Sequence, residues 1–382
     1  MDGGTFSIAR MAAGLAAEGH AVHVLSAATP KHAGGGKVPS GITTESVAVD
    51  TSIRPLRLLA TLAAQAPYAT ARFANAAFAG RLDALLREEE WDVVQLEGLG
   101  TFPCASLVRR TSRARLVVRA HNVEHALFRE RATRAASPAV AAFLHLEARR
   151  VERLERETWR LCHGIAAISP EVAATCAAAA ACVPVATLPV GVEVPAQPPP
   201  IGDPAGLLHL SAMDWWPNRE GLSWFLAETW PLVRKARPGT TLRLAGRGMR
   251  GFARGLPPDG LAVEGEVADA EAFLRSGAIL VVPLLSGSGV RVKIVEAMAQ
   301  GRAVVATPRA VEGLGSAVQG EHLLVGDGAR GLATALLHAL DDPALVARLG
   351  TAAWKLATER FSGPVVARAT TSFYHSLAPA TE

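Results

Sequence analysis

The chain offers little that would serve a metal, a disulfide, a membrane span or a nucleic acid. Its four cysteines, Cys104, Cys162, Cys176 and Cys182, lack the close pairing of metal-ligand motifs. No basic-then-apolar leader follows Met1, so reduced thiols and a cytoplasmic location are expected. Charged residues make up 19%, and the net charge is only +4 over 382 residues. Divided at Pro195, the chain holds 21 basic and 18 acidic residues before that point, and 18 and 17 after it, so neither half is a nucleic-acid-binding tail. The longest uncharged apolar stretch, 172–192, is rich in alanine and broken by Pro184 and Pro189, which argues against a membrane span. No region is polar enough to read as disordered.

Hydrophobic residues, at 49%, are ample for two cores at this length. Strand-like segments alternate with helical patterns, the sign of parallel sheets covered by helices. The expected strands are 21–25, 92–96, 116–120, 164–168 and 185–188 in the first half, then 207–210, 241–245, 261–263, 278–282 and 303–306. Between the two sets, residues 195–204 contain five prolines, a semi-rigid hinge. The expected organisation is therefore α/β, with doubly wound domains over 1–190 and 205–361, a hinge over 191–204 and a last helix within 362–382. Ligands of such folds bind at the carboxyl ends of the strands. One element is missing: Met1 leads directly into a Gly3-Gly4 turn and a helix, with no strand before it. A native start roughly 10–15 residues earlier, enough for one strand, is the expectation.

The most informative stretch is Val281 to Thr307. An apolar run ending at Pro283 reads as a buried parallel strand, Gly287-Ser288-Gly289 as a turn, and 290–300 as a helix stopped by Gly301. Such a strand, turn and helix N-terminus make a phosphate site, because free backbone N–H groups point outward there. Arg291 and Lys293 fall in the first helical turn, where the macrodipole disfavours cations by roughly 0.3–1 kcal/mol each. A bound anion reverses that penalty. The apolar stripe of Val290, Ile294, Ala297 and Met298 leaves Lys293, Glu296 and Gln300 on a second, accessible face. Cations followed by a carboxylate one turn on suit the diphosphate and ribose of a nucleotide. An ordinary amphipathic helix with solvated charges is the competing reading.

The same residues resemble the donor signature of the family-4 retaining glycosyltransferases (GT-B fold, glycosyl transferases group 1). From Glu296 to Thr307 the chain matches Glu-Ala-Met-Ala-x-Gly-x-Pro-Val-Val-Ala-Thr, with Ala303 replacing the usual Pro. Ser288 stands where that family places the first Glu of a pair. The form Pro-Leu-x-x-Gly-Ser-Gly-x-Arg-x-Lys-Ile-x-Glu-Ala is similar to a subgroup that sets Arg and Lys in the turn instead. The resemblance extends over nearly the whole chain. It implies two Rossmann-like domains facing each other across a cleft, the first on the acceptor side and the second for the donor, with the last helix crossing back to the first. The implied activity is metal-independent, cofactor-free transfer of a hexosyl unit, with retention. The donor would be a nucleotide-sugar and the acceptor a saccharide or a lipid-linked one, in surface polysaccharide or glycolipid synthesis. Gly287, Ser288, Gly289 and Glu296 would bind the donor, and Arg291 and Lys293 would meet its leaving diphosphate. Gly246, Arg247 and Val267 would surround the base, and Gly3 and Gly4 would lie beside the donor.

Other candidates follow earlier strands. Arg119-Ala-His121-Asn122-Val-Glu124-His125 ends the 116–120 strand, and the subgroup often shows His-Asn-x-Glu-His here. His121 is the residue expected to face the reacting centre, with Asn122 and Glu124 on the acceptor side. A zinc pair of His121 and His125 lacks a Glu directly after the first His and a third ligand; a structural cap stays open. Glu97 is expected to bind an acceptor hydroxyl or to cap a helix. The Asp214-Trp-Trp-Pro-Asn218 loop lacks the family's usual Arg and Lys, which gives Arg291 and Lys293 more importance. Asn218 is expected to cap the next helix, and Trp216 to border the donor or the core. For Arg247 a plain surface position competes.

Acid-free spans at 51–82 and 98–123 contain Arg54, Arg57, Arg72 and Arg81, then Arg109, Arg110, Arg113, Arg115 and Arg119. Peripheral contact with an anionic membrane, at the inner face of the plasma membrane, is expected from them, against a merely solvated helix. Two further classes stay open: a non-catalytic nucleotide-sugar-binding or partner protein of the same fold, and a GT-B sugar-nucleotide epimerase.

Overall fold

The computed structural model describes residues 3–29, 41–52, 61, 66–257, 259–287 and 289–377. The chain divides into two compact units, Ile8–Pro189 with Val366–Glu382, and Met1–Ser7 with Val190–Val365.

In the first unit the described strands all pair in parallel. β1 (Val22–Ala28) pairs with β2 (Ile42–Ala48), while β3 (Val93–Glu97), β4 (Arg115–Ala120), β5 (Gly164–Ala167) and β6 (Val185–Thr187) pair in that order. Among the described residues no strand joins β1 to β3, so the sheet is in two pieces. Leu116, Val117 and Val118 of β4 and Ile165 and Ala166 of β5 are fully buried, as expected for strands covered on both faces. The C-terminal helix, Gly363–Ser376, lays Phe373 and Tyr374 on Val117, Ala166 and Leu188, with Leu377 beside them.

The second unit holds one six-stranded parallel sheet. It comprises β7 (Asp203–Leu210), β8 (Leu242–Ala245), β9 (Leu261–Gly265), β10 (Gly277–Val282), β11 (Ala303–Ala306) and β12 (Leu324–Val325). The spatial order is β12-β11-β10-β7-β8-β9. The chain thus winds outward from β7 through β9, returns to β10 and winds out the other way. The switch point lies between β7 and β10, where doubly wound folds bind ligands beyond the strands' carboxyl ends.

The proline-rich segment is tied to this unit. The fully buried Arg302 donates from Nη2 to the carbonyls of Pro199 (2.9 Å) and Pro200 (2.8 Å) and from Nε to that of Gln300 (2.7 Å). Trp354 Nε1 donates to the Pro195 carbonyl at 3.0 Å. Prolines lack N–H groups, but their carbonyls remain strong acceptors.

The helix after β10 is shorter than expected, Val292–Ala299. Gln300 is not on an accessible face as expected. It is buried, because the helix is covered on more than one side, and its amide accepts from Arg275 at 3.3 Å.

Candidate functional site

At the switch point of the second unit, the turn after β10 bends at Gly287, whose φ of +93° is a left-handed conformation that favours glycine. The Trp215 ring lies against it, so a Cβ there would come 3.1 Å from the ring. Arg291, 4% exposed, is the N-cap residue of the Val292–Ala299 helix and stacks its guanidinium 5.7 Å from the Trp215 ring centroid. Trp215, rather than Trp216, is therefore the aromatic that borders the turn.

Lys293 Nζ donates to Asn218 Oδ1 at 2.9 Å, and Asn218 Nδ2 donates to the Ala212 carbonyl at 2.8 Å. Asn218 does not cap its helix as expected. The helix starts earlier, at Trp216, with Trp215 at the N-cap position and no side-chain cap, so Asn218 lies inside it and its amide faces Lys293. Burial, and then the neighbouring Arg291 cation, push the half-buried Lys293 ammonium down to about 7, against the pull of Glu296. Glu296, one turn on, is half-buried.

Beneath this turn lies a residue that the sequence reading missed. His209 of β7, 2% exposed, donates from Nδ1 to the Val281 carbonyl (3.0 Å), and its Nε2 accepts from Ser211 Oγ (2.7 Å). Burial and the Lys293 charge push its pKa down to about 3, so it is neutral. Its place in an apolar run gave no local signal.

Gly246, Arg247 and Val267 follow β8 and β9 at the same edge, because parallel strands end together. Gly246 follows β8 with φ +130°, and Arg247 Nη2 donates to Asp214 Oδ2 at 2.8 Å. Val267 is half-buried in the turn after β9, and Gly289 is buried beside Gly287. Ser288 lies outside the described residues. Gly3 and Gly4 open the helix Gly3–Ala17. A helix N-terminus with two cations and a carboxylate one turn away is a chemical match for a diphosphate and a pair of hydroxyls.

In the first unit, His121 follows β4 and its Nε2 meets Glu97 Oε2 at 2.6 Å. Glu97 has no cap role, since the next helical turn, Leu99–Cys104, has Gly98 as its N-cap. Burial raises the Glu97 pKa, but the hydrogen bond and charge of His121, with Arg119 3.9 Å away, outweigh it and hold the carboxyl below its ordinary range. Asn122 Nδ2 donates to Glu124 Oε1 at 3.2 Å. Burial and the Glu155 charge raise the Glu124 carboxyl above its ordinary range. His125 does not share a partner with His121. Its Nδ1 meets the buried Glu155 at 2.6 Å, and that carboxylate also accepts the backbone N–H groups of Glu124 and His125.

Of the arginines in the acid-free spans, Arg109, Arg110 and Arg113 are exposed, whereas others are occupied or buried. Arg54 and Arg57 lie outside the described residues. Arg72 donates to the Thr51 carbonyl (2.6 and 2.9 Å), and Arg81 pairs with Glu45 (2.6 Å) and Glu88 (3.0 Å). Arg119 is fully buried. Glu45 lies outside the acid-free window in sequence and next to Arg81 in space.

A sequence model described as "Glycosyltransferase Family 4" matches residues 1–194, and one described as "Glycosyl transferases group 1" matches residues 204–342. The chain belongs to glycosyltransferase family 4. Among solved structures, this family-4 chain is similar to HepE of Anabaena in complex with UDP (14% identity, TM-score 0.68, covering 98% of this chain and 97% of HepE). It is also similar to WaaG, a glycosyltransferase involved in lipopolysaccharide biosynthesis (17%, TM-score 0.66, 97% and 96% covered). A third likeness is to TarM of S. aureus (16%, TM-score 0.62), where the match covers 78% of this chain and 59% of TarM. These likenesses show the GT-B fold. A curated relative, an uncharacterized 44.6 kDa protein in the cps region of Klebsiella pneumoniae, is 31% identical over 117 residues, 28% of this chain and 30% of that protein.

Proposed function

We propose that this family-4 member is an active hexosyltransferase that takes a nucleotide-sugar and transfers its sugar, with retention, to a saccharide or lipid-linked acceptor. The observation that carries the reading is the sequence of groups that follows the Gly287 turn at the β7–β10 switch point: Arg291 at the N-cap against Trp215, Lys293 in the first helical turn on Asn218, and Glu296 one turn on. Glu296 would accept hydrogen bonds from the ribose hydroxyls. The helix N-terminus, Arg291 and Lys293 would stabilise the departing diphosphate, the part a divalent ion plays elsewhere. In the step itself, the bond from the anomeric carbon to the phosphate oxygen breaks, and a bond to the acceptor oxygen forms on the same face. The acceptor's proton passes to the leaving phosphate, so no protein nucleophile is assigned. His121, held by Glu97, would face the transferring sugar, with Asn122 and Glu124 on the acceptor side.

Lipopolysaccharide biosynthesis, named for WaaG, and the cps region of the Klebsiella relative support a surface polysaccharide or glycolipid as the product. Among the described residues no helix is long and apolar enough to cross a membrane. A lipid-linked acceptor would be met through peripheral contact with anionic lipid, and that contact should weaken with salt.

The test is incubation with a panel of sugar nucleotides, beginning with UDP-sugars because HepE holds UDP, with and without candidate acceptors. Acceptor-dependent release of nucleoside diphosphate is the expected result. Donor turnover without any acceptor would indicate an epimerase instead, and binding without turnover a non-catalytic protein.

A further inference from the structure

The carboxylate that holds His121 is itself held by a chain of hydrogen bonds that leads away from the site. Gln95 Nε2 donates to Glu97 Oε1 at 2.7 Å, and Tyr374 Oη donates to Gln95 Oε1 at 2.7 Å. Tyr374, 279 residues from Gln95, sits on the C-terminal helix and is 8% exposed. The polarity of this chain can be derived. Glu97 is ionised and accepts only, so the Gln95 amide must turn its N–H₂ toward it. That leaves Gln95 Oε1 facing Tyr374, whose hydroxyl must then be the donor. At the other end the same rule makes His121 Nε2 carry the proton toward Glu97. In neutral His121 this leaves Nδ1 as the bare acceptor.

We propose that Tyr374 is a positioning residue: through Gln95 and Glu97 it fixes His121 in the Nε2–H form and reserves Nδ1 for a hydroxyl of the transferring sugar or the acceptor. The role given to Nδ1 rests on the proposed transferase reading, whereas the tautomer lock does not. A helix distant in sequence thereby has a function besides covering the sheet. Phe373, the residue before, packs on the same cluster without joining the polar chain, which separates packing from relay.

The experiment uses the full chain with ¹⁵N-labelled histidine and two-bond ¹H–¹⁵N correlation spectra, His121 being assigned by His121→Gln. At a pH high enough to keep the imidazole uncharged, wild type should show one Nε2–H tautomer, with well-separated nitrogen shifts. Tyr374→Phe keeps the ring and removes the donor, and Gln95→Met removes both polar ends of the amide. Each should free the Glu97 carboxylate to turn away from His121, and so mix the tautomers and draw the two nitrogen shifts together. Phe373→Leu should leave them in place. Unchanged His121 shifts in both Tyr374→Phe and Gln95→Met would overturn the proposal, as would an equal change in Phe373→Leu. None of these readouts requires turnover, so the lock can fail while the transferase reading stands, and the reverse.

Discussion

Lys293 is the group whose titration a bound donor should change most. Its ammonium is pushed down to about 7 by burial and by Arg291. A diphosphate beside it favours the charged form and lifts the value back toward the ordinary 10.5. Between those two values the free protein carries a mostly neutral lysine and the complex a protonated one, so binding takes up a proton. At pH 8 the uptake should approach about 0.9 proton per site. Above pH 7 affinity should fall about tenfold per pH unit, or about 1.4 kcal/mol. For the unliganded fold the sign is different. A lysine with a lowered folded pKa weakens stability below about 7, and the penalty fades as pH rises from there to 10.5. Calorimetric titration with UDP at pH 8, in buffers of different ionisation enthalpy, measures the uptake directly. Lys293→Met should abolish the uptake and flatten the pH dependence from 7 to 9. Measurable binding by wild type with no proton uptake would refute the reasoning.

Three further outcomes are expected. Glu296→Ala should weaken both the sugar nucleotide and the free nucleoside diphosphate roughly ten- to a hundredfold in titration, since charge-assisted hydrogen bonds contribute about 1.5–3 kcal/mol; a surface Glu would change neither. Gly246→Ala places a Cβ 2.0 Å from the Ser211 carbonyl at φ +130°, so denaturant unfolding should show a loss of at least about 1–3 kcal/mol. Arg302→Met strips the Pro199 and Pro200 carbonyls of their donor, and limited proteolysis should then cut within 195–200 well before it cuts wild type.

Where local chemistry alone decides, the sequence was a good guide. The β10 run, the Gly287 turn and the Gly301 stop leave one arrangement, with Lys293 in the first helical turn and Glu296 one turn on, whereas Arg291, expected in that turn too, is the N-cap residue of a helix that starts at Val292. Tertiary contacts account for the misreadings. Asn218 looked like a cap, but the Trp216-Pro217 start draws the helix back and frees its amide for Lys293. Gln300 looked exposed because a single apolar stripe does not reveal a helix covered on more than one side. β2 was missed because Ile-Thr-Thr-Glu-Ser-Val-Ala forms a half-exposed strand with little apolar signal. His209, Gln95 and Tyr374 are polar groups within apolar patterns, and only their partners across the fold give them meaning.

The account stands most directly on one comparison: acceptor-dependent nucleotide release by wild type and by Lys293→Met, measured at saturating donor. The predicted result is release from one sugar nucleotide by wild type, with turnover in Lys293→Met falling further than donor affinity does, because the ammonium meets charge that develops as the phosphate leaves. Equal turnover by the two proteins, or donor binding with no release for any acceptor tried, would contradict it.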